Sequence, residues 1–410
     1  MNISQRTPVH VVYGGAHLFK YDTPQKLGKI AFSSFRTYAS TPAELAKALG
    51  LTRSDDLVNK VFERTRLKLE SEPVEDFRVD FEDGYGVRPD DEEDQQAISA
   101  AESLGRAFAE RINTSFTGLR IKPFTLATRP RAVRTLSLFI SRLLESTGGK
   151  LPGQFAVTLP KVASESEVSD LADVLTDIET RHDLANGSIT IELMFETPLA
   201  IFDREGKVAT IKLIEAAHGR CLSAHFGAYD YTAALGISAK HQGLRHPACE
   251  LARNIMLATL VPLGVRVVDS VTTEIPAPPH RSTALSETQK QENRDTIHHA
   301  WRTHFENVLY SMSNGFYQSW DLHPNQLVAR FAAVNYFYLD GFEEQAARLK
   351  NYVDSAAQAT LTGTAFDDAA SARGVVNFFL RGLNCGALSN NEIKAATGLD
   401  RSRLYKLFPE

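Results

Sequence analysis

Short apolar runs alternate with longer stretches of helical spacing along most of this chain. The runs, at 10–13, 77–81, 118–121, 155–159, 189–195, 223–226, 265–271 and 317–322, are four to seven residues long. Several are almost continuously apolar, the pattern of strands covered on both faces in a parallel sheet. Helices are predicted over 41–49, 91–112, 129–145, 164–180, 208–217, 247–263, 286–312 and 325–347. Ser40-Thr41-Pro42 supplies a cap and a first-turn proline, and Ser164 with Glu167 fits a capping box. Strand–helix alternation repeated eight times predicts a (β/α)8 TIM barrel of the α/β class over an open doubly wound sheet. The alternation stops near residue 350. Helices at 366–383 and 391–408 predict a helical C-terminal extension, dividing the chain into a barrel at 1–350 and an appendage at 351–410.

Composition narrows the class without changing this picture. With 410 residues, 43% hydrophobic and 23% charged, the chain can bury a large core without staples. A net charge of −5 gives no broad basic footprint for nucleic acid, yet leaves room for a small anionic substrate held by local cations. Cys221, Cys249 and Cys385 are odd in number and scattered, which suits a reducing cytoplasm. No basic–apolar leader opens the sequence and no run of apolar residues is long enough to span a membrane. A cytoplasmic protein is expected.

In such a barrel chemistry gathers where strands end and loops begin. The second run ends in Asp80-Phe-Glu82-Asp83-Gly84, three carboxylates that raise one another's pKa unless a cation stands near. The third ends in Arg120-Ile-Lys122 and the fourth in Pro160-Lys161, cations suited to a carboxylate substrate. The fifth carries Glu192 and Glu196 on one side of the strand, and the sixth leads through His225, Gly227, Ala228 and Tyr229 to Asp230. Two carboxylates from neighbouring strands, with water and substrate oxygens, would satisfy an octahedral Mg²⁺. His17 after the first run is a candidate base, and His323 after the eighth could close the mouth or cap the next helix.

Taken in order, VDFEDGYG, GLRIKP, LPKV, IELMFETP, AHFGAYDYTAALG and DLHPNQL resemble the HpcH/HpaI aldolase and citrate lyase β-subunit superfamily over roughly residues 10–330. The resemblance implies a barrel enzyme that uses Mg²⁺ or Mn²⁺ to make or break a carbon–carbon bond beside a carbonyl. The substrate would be a small 2-oxo acid such as pyruvate or oxaloacetate. Carried across by motif, Glu196 and Asp230 would hold the metal, and Arg120 the substrate carboxylate or oxyanion. Glu82 and Asp83 would hold metal-bound waters or assist proton transfer, while Gly227 and Ala228 would offer backbone donors, with Tyr229, Lys161 and His323 lining the substrate. A symmetric homo-oligomer is also implied. The 282–312 segment and the tail beyond 350 fall outside the usual pattern, so the chain reads as an extended branch.

Two alternatives stand beside the oxo-acid reading. One is a CoA-ester lyase of the malyl or citramalyl type, sharing the enolate chemistry. The other rests on the tail, where Gly398 divides two apolar-spaced segments like a helix-turn-helix, with Arg401, Arg403 and Lys406 on the second. A regulator would use that unit for DNA and the barrel as sensor, against the expectation that no nucleic acid is bound.

Overall fold

The structure is a computed structural model that describes residues 6–282, 284–362 and 369–407. Eight strands follow one another: β1 (His10–Gly15), β2 (Asp76–Asp80), β3 (Phe116–Arg120), β4 (Phe155–Leu159), β5 (Thr190–Phe195), β6 (Cys221–Phe226), β7 (Arg266–Val268) and β8 (Ser319–Asp321). They pair in parallel in the order β7-β6-β5-β4-β3-β2-β1-β8. The two ends meet through a single bridge, Asp269 to Ser319, where the Asp269 N–H donates to the Gln318 carbonyl at 2.9 Å. A closed (β/α)8 barrel results.

Three helices, α1 (Thr23–Tyr38), α2 (Pro42–Leu49) and α3 (Asp55–Ser71), join β1 to β2. Then α4 (Asp90–Ala109), α5 (Arg129–Thr147) and α6 (Glu165–Arg181) follow β2, β3 and β4 in turn. The helices α7 (Pro198–Ile201) and α8 (Thr210–Glu215) follow β5, and α9 (Ala228–Ala234) and α10 (Pro247–Leu260) follow β6. The long α11 (Glu287–Ser313) precedes β8, and α12 (Gln326–Asp340) comes after it. The rest is α13 (Phe342–Thr362), α14 (Ala369–Asn384), α15 (Asn390–Thr397) and α16 (Arg401–Leu407). Capping boxes at Ser164–Glu167, Ser286–Gln289 and Ser389–Glu392 start α6, α11 and α15 by satisfying amides the first turn cannot pair. Among the described residues no helix is long and apolar enough to cross a membrane.

The predicted runs match the strands closely, and β4 coincides with 155–159. Strands β2, β3 and β4 are buried at every position, as their apolar outer faces against the helices require. Differences have local causes. The segment 325–347 is not one helix: it breaks at Gly341, which leaves the Phe378 ring of α14 only 3.3 Å from where a Cβ would stand. Val208 pairs antiparallel with Phe202 before α8 begins at Thr210. The predicted helix at 366–383 is observed as α14 from Ala369, its first three positions lying outside the described residues, as does 408 at the end of α16. On the tail, Arg64 of α3 donates to the Ala387 carbonyl and to the Glu392 carboxylate, while Leu388, Ile393 and Leu404 are buried. Arg401 donates to Asn384 at 2.7 Å, so this cation serves packing of the tail.

Side chains that touch across non-neighbouring strands must point into the barrel. By that criterion the interior holds Tyr13, Arg78, Arg120, Glu192, Met194, His225 and Trp320. A small apolar cluster of Val11, Met194, Val268, Val271 and Trp320, separate from the main core, surrounds them. Gly118 makes the β3–β4 wall close: a Cβ there would lie 1.9 Å from the Ala156 carbonyl oxygen. Backbone cannot yield as a side chain does. Gly118→Ala is therefore expected to lower unfolding free energy by about 3 kcal/mol, read as a reduced denaturant midpoint.

Candidate active site

The C-terminal mouth of the barrel collects most of the residues singled out in the sequence. Arg120, at the end of β3 and 4% exposed, grips Asp80 of β2 with two parallel donors, Nε to Oδ1 at 2.7 Å and Nη2 to Oδ2 at 2.5 Å. Its Nη1 lies 3.2 Å from Glu82 and 3.8 Å from Asp83, and its guanidinium stands 4.9 Å over the Tyr13 ring. Asp80 also accepts from the Glu82 and Gly84 amides at 2.9 and 2.7 Å, which folds the acidic loop back over the strand end. Asp80 was legible only as one acid of a cluster. It is the arginine's clamp.

Lys161 closes the other side. Its ammonium pairs with Glu82 and, at 3.1 Å, with Asp83, while its backbone amide donates to Glu196 Oε1 at 2.7 Å. That amide is aimed by a left-handed φ of 52°, a conformation a non-glycine residue adopts only when its surroundings demand it. Burial raises the Glu82 acid despite Arg120 and Lys161. For the neighbouring Asp83, burial is outweighed by its bond to Glu82, then by Lys161 and Arg120, and its acid falls below the ordinary value. Two adjacent carboxyls thus titrate in opposite directions, as acid–base pairs do. Lys122 turns away: its ammonium bonds Glu93 of α4 at 2.7 Å and the Phe81 carbonyl at 2.9 Å.

Glu196, just past β5, is 2% exposed, and burial raises its acid to about 8; Lys161 works against this and Asp230 adds to it. Gly227 explains how the carboxylate fits, since a Cβ there would stand 2.5 Å from Glu196 Cβ and 2.6 Å from Oε2. Asp230 lies exposed in the first turn of α9. Among the described residues no group of three His, Cys, Asp or Glu could hold a metal. The donor set is two carboxylates, one of them buried and with its acid raised by that burial, which fits a hard divalent ion that keeps several waters.

Other expected residues are placed differently. The backbone donors expected of Gly227 and Ala228 are already engaged, the first with the Phe195 carbonyl at 3.1 Å and the second with Ser270 Oγ at 3.0 Å. The Tyr229 hydroxyl meets Thr273 at 3.0 Å. His323 accepts from the Asn325 amide at 3.1 Å, a turn-capping role ahead of α12. His17 lies in the turn after β1 with Nδ1 buried and unpartnered, 5.7 Å from the Tyr85 ring.

Beneath the mouth lies a network the sequence reading did not assemble. Arg78 donates to Glu192 at 2.9 Å through Nε, and also pairs with Asp76. Glu192 Oε1 lies 2.6 Å from His225 Nε2, and His225 Nδ1 meets the Tyr13 hydroxyl at 3.0 Å. The signal was the alternation Asp76-Phe-Arg78-Val-Asp80, which puts three charges on one face of a buried strand. A cavity of about 560 Å³ lies elsewhere, between α1, the end of α3 and the 111–115 loop before β3. It opens at the strands' N-terminal ends, where barrels of this kind do not carry their chemistry.

Fold and mouth together define a (β/α)8 barrel with a mixed acidic and basic polar centre at its strand ends. The chain belongs to the family described as a domain of unknown function (DUF6986), which it matches over residues 2–408. No curated protein matches it by sequence. Among solved structures it is similar to a citrate lyase from Burkholderia xenovorans LB400, at 18% identity and a TM-score of 0.58 over 96% of each chain. It is also similar to Haloferax volcanii malate synthase (17% identity, TM-score 0.47, 80% of this chain and 76% of that one). An HpcH/HpaI aldolase/citrate lyase family protein from Burkholderia cenocepacia J2315 follows at 10% identity and 0.40, over 79% and 91%. The first of these likenesses speaks to the fold alone.

Proposed function

We propose that this chain is a lyase that makes or breaks a carbon–carbon bond beside the carbonyl of a small 2-oxo acid such as pyruvate or oxaloacetate. The observation that carries the reading is the buried Glu196 carboxyl, its acid raised by burial and by Asp230, in one mouth with the buried Arg120 guanidinium. Glu196 and Asp230 would hold Mg²⁺ or Mn²⁺, which when bound supplies Lewis-acid charge where an enolate develops. Arg120, fixed by Asp80 through Nε and Nη2, has Nη1 outside that clamp and would orient the substrate's carboxylate. Lys161 holds Glu82 and Asp83 in place while fixing Glu196 through its amide. Burial excludes water from Arg120 and Glu196, so each charge acts at greater strength than in bulk solvent.

The test is proton exchange. Pyruvate methyl protons are expected to exchange with solvent deuterium when enzyme and Mg²⁺ are both present, and to stop exchanging with EDTA. Absence of exchange under both conditions would sink the oxo-acid reading. Malyl- and citramalyl-CoA assayed alongside the free acids distinguish the CoA-ester alternative, since cleavage of the esters alone would reassign the substrate.

A further inference from the structure

We propose that Tyr13, His225 and Glu192 form a proton relay across the floor of the barrel mouth, with the Tyr13 hydroxyl exchanging the proton with substrate. The proposal rests on the oxo-acid reading and names the group that exchanges the proton with the substrate carbon.

Three strands bring it together. Tyr13 of β1 reaches across the barrel to His225 of β6, hydroxyl to Nδ1 at 3.0 Å, and Nε2 meets Glu192 of β5 at 2.6 Å. Ser223 Oγ also lies 3.1 Å from Nε2. Arg78 fixes Glu192 from the far side. The base of the line is sealed, with Glu192 wholly buried and His225 1% exposed, whereas Tyr13 is only half-buried. Tyr13 is therefore the end open to the mouth. The Arg120 guanidinium lies 4.9 Å over its ring, and Arg120 Nη1 lies 3.7 Å from Met194, which is paired in register with His225. A substrate carboxylate held at Nη1 thus sits over the phenol.

Its surroundings suit proton transfer. Val11, Met194, Val268 and Trp320 enclose the line, so competing water is scarce. The Tyr13 hydroxyl keeps its proton well above the ordinary range through burial, reinforced by Glu192. Burial works against the Glu192 charge, but Arg78 and His225 hold the carboxylate ionised. A second buried histidine site shows the contrast. Asp321, at the end of β8, binds His10 and His304 at 2.8 Å each and Arg330 at 2.8 Å. That cluster ties α11 and α12 to the barrel.

In the exchange direction a methyl C–H bond breaks, its electron pair becomes the enolate, and the proton passes to the Tyr13 oxygen. The original Tyr13 proton moves to His225 Nδ1, giving an imidazolium whose charge Glu192 balances. Reversal returns a proton to carbon, and in D2O the relay delivers deuterium. Tyr13 is the group that meets substrate; His225 and Glu192 are positioning residues.

Tyr13→Phe keeps the ring under Arg120 and removes only the hydroxyl. With Mg²⁺ and pyruvate as the probe, its exchange rate is expected to fall about 10²-fold or more, with KM within a factor of about 2. His225→Gln still bonds the phenol but cannot take its proton, and the same split between rate and KM is expected. The double variant should lose no more than either single one, as members of one unit do. A Tyr13→Phe protein with the wild-type unfolding temperature and the wild-type exchange rate would overturn the relay and leave the oxo-acid reading standing. A wild-type protein without exchange would sink that reading and the relay with it.

Discussion

Glu196→Gln should abolish Mg²⁺-dependent exchange while making the metal-free protein more stable. The first half follows from removing the buried charge that a divalent ion would answer. The second follows from linkage. The Glu196 acid is raised to about 8 in the fold, above its unfolded value, so the native state binds this proton more tightly. Its contribution is complete at low pH and is lost as pH climbs from the unfolded pKa through 8. At pH 8 in EDTA the variant should exceed the wild type by about 2–4 kcal/mol, whereas at pH 4 the two should agree. Mg²⁺ should raise the unfolding temperature of the wild type and not of the variant. Paired denaturation curves at the two pH values, with and without Mg²⁺, check all three statements. Equal activity in the variant would remove Glu196 from the metal site.

Arg120→Lys carries the second large effect. An ammonium preserves the charge but not the fork: it cannot grip both Asp80 oxygens and still present a third donor toward Glu82. A fall in kcat of about 10²-fold is expected, and drawing the charge back from Glu82 and Asp83 should raise both acids, since Arg120 lowers each. The pH–rate profile should accordingly change shape in this variant. A change confined to KM would show that Arg120 binds substrate without acting on the developing charge.

The barrel was legible because its walls obey a simple rule: β4 is buried at all five positions and reads as an apolar run broken only by Thr158. What escaped was the length of the first connection. The helix α3 buries Val58, Val61, Phe62, Thr65 and Leu69, a spacing that the sequence displays, but its dense charge masked it. In α1 the buried set includes Gly28 and Ser34, and Ile30 faces solvent, so the apolar stripe is weak. At the mouth, residue type and strand position were enough to single out Arg120, Glu82, Asp83, Lys161, Glu196 and Asp230. Partnership was not legible. Which carboxylate holds Arg120, the left-handed turn at Lys161 and the engaged amides of Gly227 and Ala228 depend on distances no linear pattern encodes. Nor did the alternation in β2 reveal that Arg78 crosses the barrel to Glu192.

The barrel wall is uneven in strength. Neighbouring staves elsewhere share ladders of several residues, but β7 and β8 are each three residues long and meet through one bridge at Asp269. Amide protons along that seam should be the first in the wall to exchange. Ser270, which anchors the Ala228 amide, is the next residue after the bridge, so loosening there frees the start of α9 with Asp230. Arg120 and Asp80 stand in the long-paired half. One lip of the mouth is therefore less firmly paired than the other.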